Sequence, residues 1–166
     1  ALVPLLVAIA NADYLRHLYG EALQYTPIVG QLYVWISGFA MFAFLITLAR
    51  EMVKDIEDIT GDREMECRTA AIVWGERGTK AVVSVLLIIT MALIAYLVWA
   101  ILPFPSDWKS FSTRYALFGL TVPILCAVAL LWAAKTPLEY RRTQLIIKFA
   151  MFMGVMYSFV IQQNII

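Results

Sequence analysis

Long apolar runs separated by short polar stretches organise this chain. Residues 28–49, 81–102, 115–134 and 145–161 are almost free of charge, and a bilayer core about 30 Å thick takes roughly 20 such residues as a helix. None of the four alternates with period two, as a barrel strand would, so the pattern predicts helices that satisfy their own backbone in lipid. The opening run, 1–12, is too short to cross and is expected to be the end of a truncated span. No basic stretch precedes it, and the first residue is Ala1, so the chain reads as beginning partway through a protein. The fourth span is the shortest and carries Lys148 near its start, where the amine can reach the headgroups. Trp35, Trp99, Trp108 and Trp132 fall near span ends, as interfacial aromatics do. Pro103 and Pro105 break the chain between the second and third spans. The expected fold is all-α: one transmembrane helical domain over 1–166, a multi-span bundle with 50–80 as a polar loop.

Composition agrees with this pattern. The chain is 62% hydrophobic and 15% charged, against about half and a quarter in soluble domains, and the apolar blocks are continuous, which excludes a large soluble core. The net charge of +1 matters less than where the charges sit. Arg50, Lys54, Arg63, Arg68, Arg77, Lys80, Lys135, Arg141, Arg142 and Lys148 share one side of the expected topology, and only Arg16, Lys109 and Arg114 the other. The positive-inside rule makes the richer side cytoplasmic. The protein is therefore expected in a bacterial or archaeal cytoplasmic membrane, with membrane lipid around it and no nucleic-acid partner. Cys67 and Cys126 form no CxxC pair and are expected as free thiols, and the single histidine, His17, reads as a surface residue and not a ligand.

The chemistry is concentrated in one place. Of twelve acidic residues, Glu51, Asp55, Glu57, Asp58, Asp62, Glu64, Glu66 and Glu76 lie at the cytoplasmic end of the first full span. On a helix continuing past Ala49, Glu51, Asp55, Asp58 and Asp62 fall within an arc of about 60°. Glu57, about 200° from Asp55, falls off that stripe and is expected to take no part in it. Like charges at these spacings repel, and more strongly where the dielectric falls. A solvated helix end neutralised by Lys54 and Arg50, or an ion-pair network with another subunit, would account for the stripe. So would a Mg²⁺ site, which needs one or two carboxylates with water and substrate phosphate completing the shell. On that reading Asp58 and Asp62 are the strongest ligands, Asp55 the third, and Glu51 the weakest, being longer and nearer lipid.

The stretch KDIEDITGD followed by RTAAIVWG resembles the UbiA superfamily of intramembrane prenyltransferases, and most nearly its geranylgeranylglycerol-phosphate geranylgeranyltransferase branch. Thr69, Gly75 and the stretch KFAMFMG around Lys148 and Gly154 also fit. The resemblance implies the C-terminal half of a nine-helix fold in which two aspartate-rich motifs face each other across a cavity. It implies Mg²⁺-dependent transfer of a polyprenyl group from a prenyl diphosphate to a lipid or aromatic acceptor. Asp58 and Asp62 correspond to the catalytic second motif, Asp55 to the extra metal-binding aspartate of this branch, and Lys54 and Arg68 to cations meeting the diphosphate. The first motif, of N-D-x-x-D type, is absent from these residues, so missing N-terminal helices or another membrane subunit would have to supply it, and the segment alone is expected to be inactive. Two departures, Ala71 where the family usually has proline and Glu66–Cys67 where glycine is common, keep open a non-catalytic UbiA-like subunit of a larger membrane complex. The CDP-alcohol phosphotransferases, which also carry intramembrane aspartates, are excluded because ITGDRE follows Asp58.

Overall fold

Capping and kinking residues, more than the apolar runs, set where each helix starts and stops. The computed structural model describes residues 28–101 and 111–165, with no strand among them. Expectations for the opening run 1–12, Arg16, His17, Pro103, Pro105, Trp108 and Lys109 lie outside these residues. Helix α1 is Ile28–Glu57, α2 Ile59–Glu64, α3 Ala70–Ile101, α4 the single turn Phe111–Arg114, α5 Thr121–Ala133 and α6 Pro137–Ile165. Four helices are long and apolar enough to cross a membrane, over Val34–Glu57, Ala70–Trp99, Tyr115–Ala133 and Pro137–Val160. This is an integral membrane architecture, and each expected span lies largely within one of these helices.

The chain divides into two compact units, Ala1–Phe44 and Leu45–Ile166. In the first, residues 28–44 form the opening part of α1, where Trp35 and Phe39 pair their rings at 6.3 Å. The second holds the end of α1 and every later helix.

The helices of the second unit run past the apolar blocks. Helix α6 begins at Pro137, eight residues before the expected start at Leu145, because the Glu139 side chain caps its first turn. Glu139 Oε2 accepts the Thr136 backbone N–H at 3.0 Å and the Lys135 N–H at 2.7 Å, while Thr136 O accepts the Glu139 N–H. Proline at the first helical position has no N–H to leave orphaned. Lys148, expected at the start of its span, consequently lies well inside α6.

Helix α5 is preceded by a π-helical segment, Tyr115–Leu120. Pro123 has no N–H for the Gly119 carbonyl and its ring crowds that carbonyl, which a wider turn relieves. Tyr115 stacks on Tyr157 at 5.8 Å, and its hydroxyl donates to Met153 O at 3.2 Å, holding the segment against α6.

Buried positions on α5 and α6 recur at alternating steps of three and four. They are Leu120, Ile124, Ala127, Leu131 and Ala134 on α5 and its two flanking residues, and Tyr140, Thr143, Ile147, Ala150, Gly154 and Tyr157 on α6. This heptad-like spacing is the kind found along the seams of membrane bundles, with small residues allowing close approach. The buried hydroxyls of Thr90 and Thr143 donate to carbonyls one turn back, so they cost little there. Ile88, Ile89, Tyr96, Phe149, Phe152 and Phe159 face outward, as they would toward lipid.

Candidate functional site

The acidic stripe is a helix, a break and a second helix. Helix α1 ends at Glu57, and Asp58 takes φ −93° and ψ 7°, the turn-like region between helix and strand. The break is shallow, since the Asp58 N–H bonds Lys54 O at 3.0 Å and the Asp62 N–H bonds Asp58 O at 3.0 Å. The ladder therefore carries across, but the even stripe expected of one continuous helix is interrupted at Asp58. Helix α2 closes in a Schellman turn, in which the Cys67 N–H reaches Asp62 O at 2.9 Å and the Glu66 N–H reaches Arg63 O at 3.3 Å. Glu66 there adopts φ 54°, a left-handed conformation that favours glycine. The turn ties the backbone of Asp62 in place.

Asp55 and Asp62 are half-buried and close enough to repel each other, while Asp58 is exposed. The Asp55 carboxylate also accepts the backbone N–H of Ala70 and so caps the start of α3. Thr69, directly before Ala70, has its Oγ1 buried with no hydrogen-bond partner among the described residues. No three His, Cys, Asp or Glu side chains converge on one point among the described residues. Asp55, Asp58 and Asp62 are thus neighbours in space without forming a closed three-carboxylate cage. A Mg²⁺ ion does not need such a cage. Half-buried Asp55 and Asp62 offer hard carboxylate oxygens of the kind that ion takes, and the Thr69 hydroxyl lies unsatisfied in the connection that follows them. Glu51 is drawn into an ion pair with Arg50, and the side chains of Lys54 and Arg68 are exposed on the same stretch.

Two contacts that local sequence reading does not reach fix this end of the protein. Gln144, buried on α6, donates from Nε2 to Glu57 Oε2 at 2.5 Å. Glu57 therefore has a structural task of its own, apart from the acidic stripe. One turn earlier on α6, Tyr140 Oη donates to Glu76 Oε1 at 2.6 Å. Lys80 Nζ donates to the same oxygen at 2.9 Å and to Ala134 O at 2.8 Å, and lies 5.0 Å from the centre of the Tyr140 ring. Lys80, one of the ten cations counted on the richer side, is only 6% exposed. Its amine sits on the carbonyl freed where α5 ends, a favourable place for a cation. Glu57 and Gln144 are 87 residues apart, and Glu76 and Tyr140 are 64, so only the folded packing pairs them.

The chain is 29% identical over 151 residues to the digeranylgeranylglyceryl phosphate synthase of Thermococcus onnurineus, covering 90% of this chain and 49% of that protein. It is 31% identical over 140 residues to the synthase of the same name from Thermococcus gammatolerans, covering 82% and 48%. The chain is a relative of the UbiA-type prenyltransferases. A third synthase of that name, from Natronomonas pharaonis, is 35% identical over 112 residues, 68% of this chain and 35% of that protein. The chain spans about half the length of the first two of these UbiA-type relatives. No family model matches it, and no solved structure matches it significantly.

Proposed function

We propose that this chain forms part of a Mg²⁺-dependent prenyltransferase that moves a polyprenyl group from a prenyl diphosphate to a glyceryl phosphate lipid within the membrane. The observation that carries the proposal is the proximity of half-buried Asp55 and Asp62, in a chain whose relatives are named as synthases of a digeranylgeranylglyceryl phosphate. Asp55, Asp58 and Asp62 would hold the metal, with Asp58 and Asp62 as the catalytic pair. When bound, Mg²⁺ supplies positive charge that neutralises a diphosphate as it leaves an allylic carbon. Lys54 and Arg68 meet the outer oxygens of that diphosphate. The apolar helix faces accommodate the prenyl tail and exclude water from the cation-like carbon. The site is completed by helices bearing an N-D-x-x-D stretch, upstream in the same polypeptide or on another membrane subunit. The aspartate-rich loop faces the cytoplasm, where soluble prenyl diphosphate and Mg²⁺ are found.

The test uses the full-length protein. Asp58→Asn and Asp62→Asn keep side-chain size and remove the charge, so prenyl transfer at saturating Mg²⁺ is expected to fall by about 100-fold or more, about 3 kcal/mol of transition-state stabilisation. The thermal midpoint of the parent protein should rise with added Mg²⁺ as the ion binds the folded state, and that rise should shrink in both variants. Full transfer activity with an unchanged Mg²⁺ response would reduce the stripe to a solvated helix end.

A further inference from the structure

Away from the aspartates, a cavity of about 630 Å³ opens between the first turns of α3, the end of α5 and the connection after it, lined by Glu76, Arg77, Lys80, Trp132, Ala134 and Lys135. The volume falls within the range of small-ligand sites. Its charge is unbalanced, since three cations line it against one carboxylate. That carboxylate, Glu76, is already taken up by Lys80 and Tyr140. Arg77 and Lys135 are exposed and have no ion-pair partner among the described residues. Lys80 is held rigidly, two of its protons being given to Glu76 and Ala134 O. Trp132 forms an apolar wall, its Nε1–H donated to Ser84 Oγ at 2.9 Å while the ring remains 54% exposed. An indole anchored by its polar edge at the end of a span is the usual marker of headgroup depth.

We propose that this cavity binds the phosphate of a lipid headgroup, with Arg77 and Lys135 as its direct donors and Trp132 against the glycerol backbone. Arginine forks onto phosphate oxygens, and lysine meets them as a point charge. The buried Lys80–Glu76–Tyr140 network holds the cavity wall in shape, so the two free cations close on a preformed recess. A free phosphate ion shares the charge but not the tails, so the exposed indole of Trp132 at the end of a membrane-spanning helix favours the lipid. The site stands independently of the transferase reading, because none of its residues belongs to the aspartate cluster.

Delipidated full-length protein in neutral detergent can be titrated with short-chain phosphatidic acid and followed by tryptophan fluorescence. Saturable binding is expected, weakened about thirtyfold in the double variant Arg77→Gln with Lys135→Gln and about fivefold in each single variant, which carries the test if the double variant does not fold. Arg141→Gln with Arg142→Gln removes the same charge from exposed α6 positions outside the cavity, and is expected to weaken binding less than about threefold. Equal losses in the two pairs would overturn the site in favour of general surface attraction. Equal binding of the matching diacylglycerol would overturn phosphate recognition. Inorganic phosphate binding as tightly as phosphatidic acid would overturn the lipid as the source, and so would the absence of saturable binding.

Discussion

At the scale of single residues, Glu66 shows how a departure from a family pattern acquires a physical meaning. Its φ of 54° lies where a side chain with a Cβ costs energy and glycine does not. Glu66→Gly should therefore stabilise the Schellman turn by roughly 0.5–1 kcal/mol after allowing for glycine's greater freedom when unfolded. That corresponds to a thermal midpoint higher by about 2 °C, and a fall in the midpoint would argue against the turn. Glu57 makes the opposite case. Its carboxylate is the partner of buried Gln144, so Glu57→Ala should cost about 1–3 kcal/mol by stranding that amide, whereas Glu57→Gln can still pair with it and should cost less. Denaturation of both variants would check this, and equal, near-zero losses would mean that the contact contributes nothing. The aspartate cluster was legible because its members are sequence neighbours on one helical run. Gln144, Tyr140 and the burial of Lys80 were not, because what they touch comes from distant parts of the chain.

At the scale of elements, the connection from α2 into α3 turns on two glycines with different tasks. Gly75 interrupts α3 at φ 71° and ψ 167°, a region almost closed to other residues. Thr79, fully buried, spans the kink with its hydroxyl near Gly75 O at 2.9 Å and Ala70 O at 3.2 Å, which ties the two sides of the kink together. A Cβ at Gly75 would meet nothing within 4 Å, so the penalty of Gly75→Ala is purely conformational and should be about 1–3 kcal/mol. Gly61 lies in helix α2, and a Cβ there also meets nothing, so Gly61→Ala should stabilise by up to about 1 kcal/mol. The same chemical change should thus move the melting midpoint in opposite directions, and a stabilising Gly75→Ala would show that the kink is not required. The spans could be read from the sequence because charge is so costly in the bilayer core. Their ends could not be read from hydropathy, since capping residues such as Thr136 and Glu139 are polar yet continue the helix. The packed faces were hidden for another reason: lipid-facing and protein-facing positions are equally apolar, so small and hydroxyl residues mark the interface better than hydrophobicity does.

At the scale of the whole molecule, the long-range bonds bring together the charged ends that the lysine and arginine count assigned to one side. Lys80 reaches Ala134, Tyr140 reaches Glu76, and Gln144 reaches Glu57. The end of α1, the start of α3, the end of α5 and the start of α6 therefore meet at one end of the second unit. The charge bias assigns that end to the cytoplasm, since moving lysines and arginines outward across the bilayer is disfavoured during insertion. The chain carries its own reporter for this, as Cys67 lies exposed in the polar connection before α3 while Cys126 lies on the outer face of the third span. A charged, membrane-impermeant maleimide should leave Cys67 unmodified in intact cells and modify it once the membrane is opened. Cys126 should stay unmodified in both conditions, because lipid covers it. A cysteine placed by Ser106→Cys, in the expected outer connection, should react in intact cells. Modification of Cys67 from outside would invert the orientation, and with it the supply of Mg²⁺ and prenyl diphosphate that the proposed chemistry draws from the cytoplasm.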